Sequence, residues 1–437
     1  MLSHKQLKWL ADKVVNYSMK IGTKPNPAYL KAKKKYRWLK GSFTLKQAIR
    51  KSGLSKKAVE KIIEKYSDVD YGPLVIKKGA KYTVKDRIGH NVVISYNPAT
   101  KKLKDEVEKL CWKNGAHTAP REMTAQNLRE SLLIPPLDSL YELPSMARAT
   151  RENIDYRIYL EAVEKEFWAK GIPVSRLLAG APATQRIHEI EDKRKVRWVL
   201  VGWPHPEMAK ELGIPPAKFR KIMFDSIWCS FDNKTREIIN KYHKCFDGTS
   251  TIRIVADDGT DLTFSVKGRR FLKDDGILSD EDIKNGDIGM NIPCGEIFTA
   301  PREDSANGTI YYPKTMVRDH GMVYGLRLWF KNGRVVRYKA KRGGEHFKRL
   351  LAESTGEKDR IAEFGIGLNR KAKYTGGNIL IDEKIFKTIH IAIGWNIGYG
   401  GKNQSSLHFD MIKFLDNCNG KVYADGRLLI DKGVLVA

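Results

Sequence analysis

The feature that most constrains this chain is the alternation of apolar and metal-binding side chains in short segments of its C-terminal half. In the segment SSLHFDMI, His408 and Asp410 alternate with Leu407, Phe409 and Met411. Side chains two residues apart in a β-strand share a face, so the strand would bury its apolar face and leave His408 and Asp410 together, about 7 Å apart at ~3.3–3.4 Å per residue. This pair predicts either a metal site or a buried histidine bonded to its neighbouring acid.

A second segment, KTIHIAIGWN, has the same pattern. His390 shares its predicted face with Ala392 and Gly394, whereas isoleucines occupy the other face. Small neighbours leave room for a metal ion and a substrate beside the imidazole. The alternative is a histidine that belongs to the core.

Two further segments place a glutamate in apolar surroundings. In IAEFGIGLN, Glu363 shares a face with Gly365 and Gly367, and in NIPCGEIFTAPRED, Glu296 follows Gly295. A buried carboxylate is costly unless it is paired or binds a metal, and glycines in a strand indicate close approach of another group. Both glutamates are therefore candidate metal ligands.

The combined set contains two glutamates, two histidines and one aspartate. Mixed carboxylate and imidazole donors suit zinc, cobalt or manganese. Five ligands exceed the three that one catalytic zinc needs beside its water, so two divalent metal ions sharing a bridging carboxylate fit better.

The segments GEIFTAP, AEFGIGLN, DEKIFKTIHIAIG and SSLHFDM, in that order, resemble the thermophilic metallo-aminopeptidases of the aminopeptidase T and aminopeptidase S group. The resemblance extends over roughly residues 86–437. It implies an N-terminal α/β domain, a C-terminal catalytic domain, a homodimer, peptide substrates and a pair of metal ions. The positions that it assigns to the metals are Glu296, Glu363, Glu383, His390, His408 and Asp410.

Two of the family positions are displaced in this chain. The spacing of Glu383 from His390 differs from the family spacing by a couple of residues. The nearest candidate for the family's functional tyrosine is Tyr399, within WNIGYGG. The resemblance implies that Glu363, with Glu383 as its rival, moves the proton of a metal-activated water, and that Tyr399 donates a hydrogen bond to the oxyanion.

The chain divides into three predicted parts. Residues 1–85 form a basic helical extension, residues 86–245 an N-terminal α/β domain, and residues 246–437 a C-terminal mixed α/β domain that holds the metal site. The middle part alternates an apolar strand, HNVVISYNP, a helix, LKDEVEKLCWKNGAH, and another strand, VRWVLVGWP. This alternation predicts an α/β fold class.

The C-terminal part has strand pairs with clear turn signals. Hairpins are predicted around Asp258-Gly259, Asn332-Gly333 and Asp425-Gly426, because Asn-Gly and Asp-Gly favour the tight turns that join paired strands. A helix, GEHFKRLLAEST, lies between strands.

The N-terminal extension is strongly basic. Residues 1–80 carry 20 Lys/Arg against 5 Asp/Glu, a net +15 of the chain's +28. Two amphipathic segments that meet at Ser52-Gly53, with a helix cap at Ser55, resemble a helix-turn-helix in outline. Residues 1–85 are therefore expected to be either a docking extension or a nucleic-acid-binding one.

The sequence also indicates a cellular location, and it leaves two alternative functions open. The chain has no apolar stretch long enough to span a membrane, and its five cysteines are scattered, which predicts a cytoplasmic protein with reduced thiols. A mononuclear non-haem iron dioxygenase could use His390, His408 and Asp410 alone. The third alternative is a nucleic-acid-associated binding protein built on the same body.

Overall fold

The computed structural model describes residues 2–67, 73–161 and 163–436. Its first helix continues as a π-helical segment, Lys13–Ser18. The helices are α1 His4–Asp12, α2 Pro27–Lys35, α3 Leu45–Ser52, α4 Lys56–Ser67, α5 Lys101–Lys113, α6 Ala125–Leu133, α7 Ser145–Asn153, α8 Val174–Arg194, α9 Pro206–Glu211, α10 Pro216–Ser230, α11 Asn233–Phe246, α12 Asp280–Asn285, α13 Gly344–Glu353 and α14 Ile379–Asp382.

The strands form five sheets within the described residues. They are β1 Thr23–Pro25, β2 Ser42–Thr44, β3 Val75–Lys78, β4 Lys81–Val84, β5 Arg87–Gly89, β6 Asn91–Tyr96, β7 His117–Glu122, β8 Tyr156–Leu160, β9 Arg197–Val201, β10 Thr251–Ala256, β11 Thr260–Ser265, β12 Leu272–Asp274, β13 Gly289–Ile292, β14 Glu296–Thr299, β15 Asn307–Val317, β16 Gly321–Lys331, β17 Arg334–Lys339, β18 Ile361–Gly367, β19 Thr388–Gly394, β20 His408–Phe414, β21 Lys421–Ala424, β22 Arg427–Asp431 and β23 Val434–Leu435.

One five-stranded sheet is parallel throughout, in the order β13-β9-β8-β6-β7. The strands predicted in HNVVISYNP and VRWVLVGWP are confirmed as β6 and β9, and the helix predicted between them is confirmed as α5. The apolar run of β6 is buried because helices cover a parallel sheet on both faces. The α/β fold class is confirmed.

Two antiparallel sheets pack against each other in the C-terminal half. An eight-stranded sheet has the order β17-β16-β15-β11-β10-β21-β22-β23, and a five-stranded sheet has the order β12-β14-β18-β19-β20. Phe264 of the first sheet and Phe364 of the second have ring centroids 5.4 Å apart inside one shared core. Ile391 and Met411 also face this core. Polar side chains that alternate with these apolar ones therefore lie on the opposite face of the five-stranded sheet.

The predicted turns and the predicted helix of this half are confirmed. The Asp258-Gly259 turn joins β10 to β11, the Asn332-Gly333 turn joins β16 to β17, and the Asp425-Gly426 turn joins β21 to β22. In the last two turns both residues have positive φ, which Asn-Gly and Asp-Gly adopt at low cost. The segment GEHFKRLLAEST contains α13.

Residues 1–85 contain more than the predicted helices. Leu10 and Val14 pack with Val107 of α5 in the core of the parallel-sheet region. Residues 27–67 and 73–84 instead surround a core of their own, to which strands β2, β3 and β4 also contribute. The second of the two predicted amphipathic segments reaches residues 68–69, which lie outside the described residues.

The chain also crosses between its parts after residue 245. Strand β13 pairs with β9 in the parallel sheet, although it follows β10, β11 and β12 in sequence. The domain boundaries at residues 85 and 245 stay predictions. No helix of the described ranges has the length and apolar character needed to cross a bilayer.

Candidate metal centre

The predicted ligands lie on adjacent strands of the C-terminal five-stranded sheet. In the register of β18 and β19, Gly365 is opposite His390, and in that of β19 and β20, Ala392 is opposite Asp410. A Cβ atom on Gly365 would lie 2.0 Å from Nε2 of His390. The imidazole therefore occupies the space that this glycine leaves open, as the sequence indicated.

Glu363 lies between the two histidines. Its Oε1 is 3.2 Å from Nε2 of His390, and its Oε2 is 3.4 Å from Nε2 of His408. The register of β18 and β19 shifts between Ile361 and Glu363, so the strand carries a bulge at this residue. Bulges re-aim side chains at such positions. One carboxylate thus presents a separate oxygen to each imidazole.

His408 is held by a backbone group that leaves Nε2 available. Its Nδ1 lies 2.8 Å from the carbonyl oxygen of Trp395, which can only accept, so Nδ1 carries the proton in the neutral ring. The Nε2 atom lies 3.2 Å from Oδ2 of Asp410. A histidine oriented in this way is typical of metal ligands. The His408 side chain is 29% exposed, so this side of the site is open to solvent.

Glu296 completes the group from strand β14. It follows Gly295, whose φ of 127° favours glycine, and its Oε2 is 3.7 Å from Nε2 of His390. Among the described residues, Oε2 of Glu296, Nδ1 of His390 and Oδ1 of Asp410 are buried without a hydrogen-bond partner. Buried polar atoms normally have partners, so the two unpaired carboxylate oxygens of Glu296 and Asp410 fit coordination of a cation.

The electrostatics of the site agree with that interpretation. Burial alone would lower the pKa of His390, but its hydrogen bond to Glu363 and the charge of Glu296 outweigh burial and raise the pKa to about 9. Burial alone would raise the pKa of Asp410, but the charge and hydrogen bond of His408 hold it at about 2. Surplus negative charge thus retains protons on the histidines, and a divalent cation would replace those protons.

The donor set fits a metal ion. One ligand atom each from Glu363, His408 and Asp410 lies within 4.8 Å of the other two. Carboxylate and imidazole donors of this kind bind zinc and other first-row divalent metals. His390 adjoins this group through Glu363, and Glu296 adjoins His390, which completes the predicted set of five.

Glu383 joins the site through a lysine that the sequence analysis did not identify. Nζ of Lys384 donates to Glu296 and to Glu383, the latter at 2.6 Å, and lies 3.2 Å from Asp274. The Lys384 side chain is 0% exposed. An ammonium group this deeply buried is tolerated because three carboxylates surround it. The signal in the sequence was a lysine inside the apolar, acidic stretch IDEKIF.

Tyr399 lies beside His408 rather than apart from the site. Its hydroxyl donates to the carbonyl oxygen of Trp395 at 3.1 Å and is 3.3 Å from Nδ1 of His408. Burial, with the charges of Glu363 and Asp410, raises the pKa of Tyr399. The phenol therefore keeps its proton and remains a hydrogen-bond donor.

A cavity of about 110 Å³ opens against His408 and Asp410. Its wall also includes Glu166, from the segment after β8, and Arg318, from the turn after β15. A neighbouring cavity of about 330 Å³ shares Lys314, among others, with the first. Sequence reasoning missed these lining residues because they come from distant segments and carry no local pattern.

Comparisons with known proteins match the chain to a metalloprotease family. Residues 60–428 match the family model described as thermophilic metalloprotease (M29). Aminopeptidase AmpS of Bacillus subtilis is 25% identical over 296 residues, which cover 59% of this chain and 70% of the relative. Aminopeptidase PepS of Streptococcus thermophilus is 23% identical over 384 residues, which cover 77% of this chain and 91% of the relative.

Two solved structures share the fold. Wild-type AmpT from Thermus thermophilus aligns with a TM-score of 0.62 at 20% identity, over 80% of this chain and 95% of that chain. The 2,5-dihydroxypyridine dioxygenase from Pseudomonas putida KT2440 aligns with a TM-score of 0.53 at 15% identity, over 80% of this chain and 92% of that chain. At these identities the two likenesses show the fold alone.

Proposed function

This chain belongs to the thermophilic metalloprotease (M29) family and is a metallo-aminopeptidase, and from that premise we propose that it cleaves the N-terminal residue from peptides at a two-metal site. The observation that carries the proposal of a metal pair is the position of Glu363. Its two oxygens face different histidines, as a carboxylate that bridges two cations must do.

The ligands divide naturally between two ions. Glu363, His408 and Asp410 would hold one ion, and Glu296, Glu363 and His390 would hold the other. When bound, two divalent cations of zinc, cobalt or manganese would supply the Lewis acidity that activates a water and polarises the scissile carbonyl. Lys384 fixes Glu296 and Glu383 from the far side, so both carboxylates keep their orientation.

The contacts favour separate roles for the two candidate bases. Both oxygens of Glu363 face histidines, so this residue is better placed as a bridging ligand than as the group that carries protons. Glu383 has one oxygen held by Lys384. We therefore assign proton transfer to Glu383, with Glu363 as the alternative that the sequence indicated first. Tyr399, which keeps its proton, would donate to the oxyanion once its hydroxyl turned away from the carbonyl oxygen of Trp395.

The two adjoining cavities suit a peptide that enters by its N-terminus. The smaller one, against His408 and Asp410, would take the first residue, and the larger one would take the residues that follow. Glu166 lies in the wall of the smaller cavity, and its carboxylate, which accepts from Asn378 and lies 3.7 Å from Arg318, would attract a free α-amino group. Recognition of that amine would restrict cleavage to the N-terminal residue.

The decisive experiment combines metal content with hydrolysis. The purified protein would be stripped with a chelator, reloaded with zinc, cobalt or manganese, and assayed on a panel of aminoacyl p-nitroanilides. Two metal ions per chain and metal-dependent release are expected. One iron per chain without release would contradict the proposal and fit the dioxygenase alternative.

The assembly and location are further proposals. A homodimer is proposed from the resemblance stated above, and light scattering of the purified protein would test it. A cytoplasmic location is proposed because all five cysteines are free thiols. Fractionation of the source cells, with an antibody to the protein, would test that location.

A further inference from the structure

Residues 27–84 are here called the basic unit, and the described part of it, residues 27–67 and 73–84, is a separately packed insertion. Their core contains Phe43, Ala48, Val59, Ile63 and Val84, among others. The insertion lies between β1 and β5, which pair with each other as a two-stranded ribbon. The backbone N–H of Asn26 donates to the carbonyl oxygen of Asp86 at 2.9 Å, so both ends of the unit leave the body side by side.

The order of elements in the basic unit is that of a winged helix-turn-helix. The chain runs α2, β2, α3, α4, β3, β4, and the three strands form an antiparallel sheet in the order β2-β4-β3. Helices α3 and α4 are joined by three residues, Gly53–Ser55. Gly53 adopts the left-handed conformation with φ 69°, and the Ser55 hydroxyl accepts from the N–H of Ala58. A short glycine-containing turn is the mark of this motif.

The second helix of the pair presents a basic face to solvent. Val59 and Ile63 of α4 are buried, whereas Lys57, Lys61 and Lys65 are exposed. These lysines are four residues apart, so they form one stripe on the face turned away from the core. Glu60 and Glu64 flank the stripe without forming ion pairs with it in the described part of the chain.

The hairpin that follows is also basic. Lys78 and Lys81 are directly paired across the β3–β4 turn, and Lys77 adjoins them, all three exposed. Over residues 27–84 the sequence has 16 Lys/Arg and 4 Asp/Glu, a net +12. Such a field attracts a polyanion, and the shape places the charge on a helix and an adjacent hairpin.

We propose that the basic unit binds double-stranded DNA, with α4 in the major groove and the β3–β4 hairpin against the phosphate backbone. A B-form major groove, about 12 Å wide, admits an α-helix, and the second helix of a helix-turn-helix occupies it. The family match begins at residue 60, so α2, α3 and the turn lie outside it. This proposal stands independently of the peptidase mechanism.

Two observations favour duplex DNA over RNA. The major groove of A-form RNA is too narrow for a helix, so the stripe on α4 has no matching site there. Single-stranded RNA is bound by exposed aromatic rings, whereas Trp38 and Tyr82 both pack against Phe43 at centroid distances of 5.6 and 5.8 Å. These rings support the core of the unit instead of offering a stacking surface.

The test uses the full chain and fluorescence anisotropy. The probe is a labelled duplex of mixed sequence about 30 base pairs long, titrated between about 50 and 200 mM potassium chloride. The test variant combines Lys57→Gln, Lys61→Gln and Lys65→Gln on α4. The matched control removes three exposed lysines from the body, as Lys113→Gln, Lys193→Gln and Lys241→Gln.

The α4 variant is expected to lose about ten-fold or more in affinity. Its salt slope should fall by roughly 2 to 3, because lysines on a helix in the groove would also reach the phosphates that flank the groove, and each phosphate contact contributes about 0.9. The body variant should stay within about two-fold of the parent, since its charges lie outside the basic unit. Equal losses in the two variants would overturn the proposal, as would no binding to the duplex or tighter binding to a single-stranded RNA of the same length.

A deletion provides the second readout. Residues 27–84 would be replaced by a short Asn-Gly turn that closes the ribbon from Asn26 to Lys85, whose neighbours already pair. Duplex binding should disappear, while release from aminoacyl p-nitroanilides should be retained. DNA binding that survives this deletion would contradict the assignment, whatever the peptidase assay shows.

Discussion

At the scale of single residues, hydrogen bonds and ion pairs hold each candidate metal ligand in one orientation. His408 uses Nδ1 on a backbone carbonyl and keeps Nε2 for the site. Glu363 directs one oxygen to each histidine. Lys384 restrains Glu296 and Glu383. A ligand held by such contacts is ordered before a metal arrives, which lowers the entropic cost of binding.

The two candidate bases can be separated by measuring metal content and turnover together. Glu363→Gln should lower the content below two metal ions per chain and abolish turnover, because the bridging oxygen is lost. Glu383→Gln should keep the metals and lower kcat by about 100-fold or more, the usual contribution of a general base. A folded Glu363→Gln protein with two metals and near-normal hydrolysis would contradict the bridging role.

Gly365 offers a test of the site that leaves every ligand in place. In Gly365→Ala, the added methyl would lie 2.0 Å from Nε2 of His390, so the imidazole must move and metal binding should weaken by at least ten-fold. Gly180→Ala in α8 is the control, because its new methyl would lie 3.7 Å from Leu132. Equal metal affinity in the two variants would show that the imidazole is not confined by β18. Elemental analysis would measure the bound metal, and thermal unfolding would show whether each variant is still folded.

At the scale of elements, the alternation within strands separates the core from the site. Strand β20 sends Phe409 and Met411 into the core shared with the eight-stranded sheet, and His408 and Asp410 to the other face. The neighbouring eight-stranded sheet has tight turns at Asn332-Gly333 and Asp425-Gly426. These two turns have the same backbone geometry but different surroundings, so the same substitution can be compared between them.

The same glycine-to-alanine substitution is expected to lower the free energy of unfolding by different amounts in the two hairpin turns. Gly333 and Gly426 have φ of 79° and 81°, so an alanine at either position costs about 1–2 kcal/mol of backbone strain. A methyl on Gly333 would also lie 1.7 Å from the carbonyl oxygen of Glu303, whereas one on Gly426 meets nothing within 4 Å. Gly333→Ala should therefore lower the free energy of unfolding by clearly more than Gly426→Ala does. Denaturant unfolding with equal losses would refute this reasoning.

At the scale of the whole molecule, the three large hydrophobic cores among the described residues belong to regions with different roles. The parallel-sheet core includes α1, the pair of antiparallel sheets carries the metal ligands, and the basic unit has its own core. The site faces a cavity to which both larger regions contribute, through Glu166 on one side and Arg318 on the other. Access of a substrate to the site therefore depends on how these two regions pack together. The basic unit instead follows β1 and precedes β5, the two strands of the ribbon.

Removal of the metals should destabilise the molecule as well as inactivate it. Without a cation, Oε2 of Glu296 and Oδ1 of Asp410 are buried with no hydrogen-bond partner in the described part of the chain. A ligand that binds only the folded state stabilises it by about 2.7 kcal/mol at a hundred times its Kd. Chelation should lower Tm by several degrees, and added zinc should restore both Tm and hydrolysis. An unchanged Tm after complete metal removal would argue against a buried metal pair.

Local sequence determined much of this protein, because its signals act over a few residues. The period of two in β18, β19 and β20 assigned Glu363, His390 and His408 to one face, and Asn-Gly and Asp-Gly pairs located the hairpins. The Ser55 cap and the glycine before it outlined the helix-turn-helix. Each of these patterns rests on backbone geometry that neighbouring residues impose.

Only the tertiary structure decided how distant segments meet. Nothing near Lys384 in sequence indicates that Asp274 and Glu296 surround its ammonium group, and nothing near Glu166 places it beside Asp410. The sheet order β2-β4-β3 and the return of β13 to the parallel sheet were equally invisible. Such contacts depend on how helices and strands pack to bury apolar surface. That packing is determined by the entire chain and not by any short run of residues.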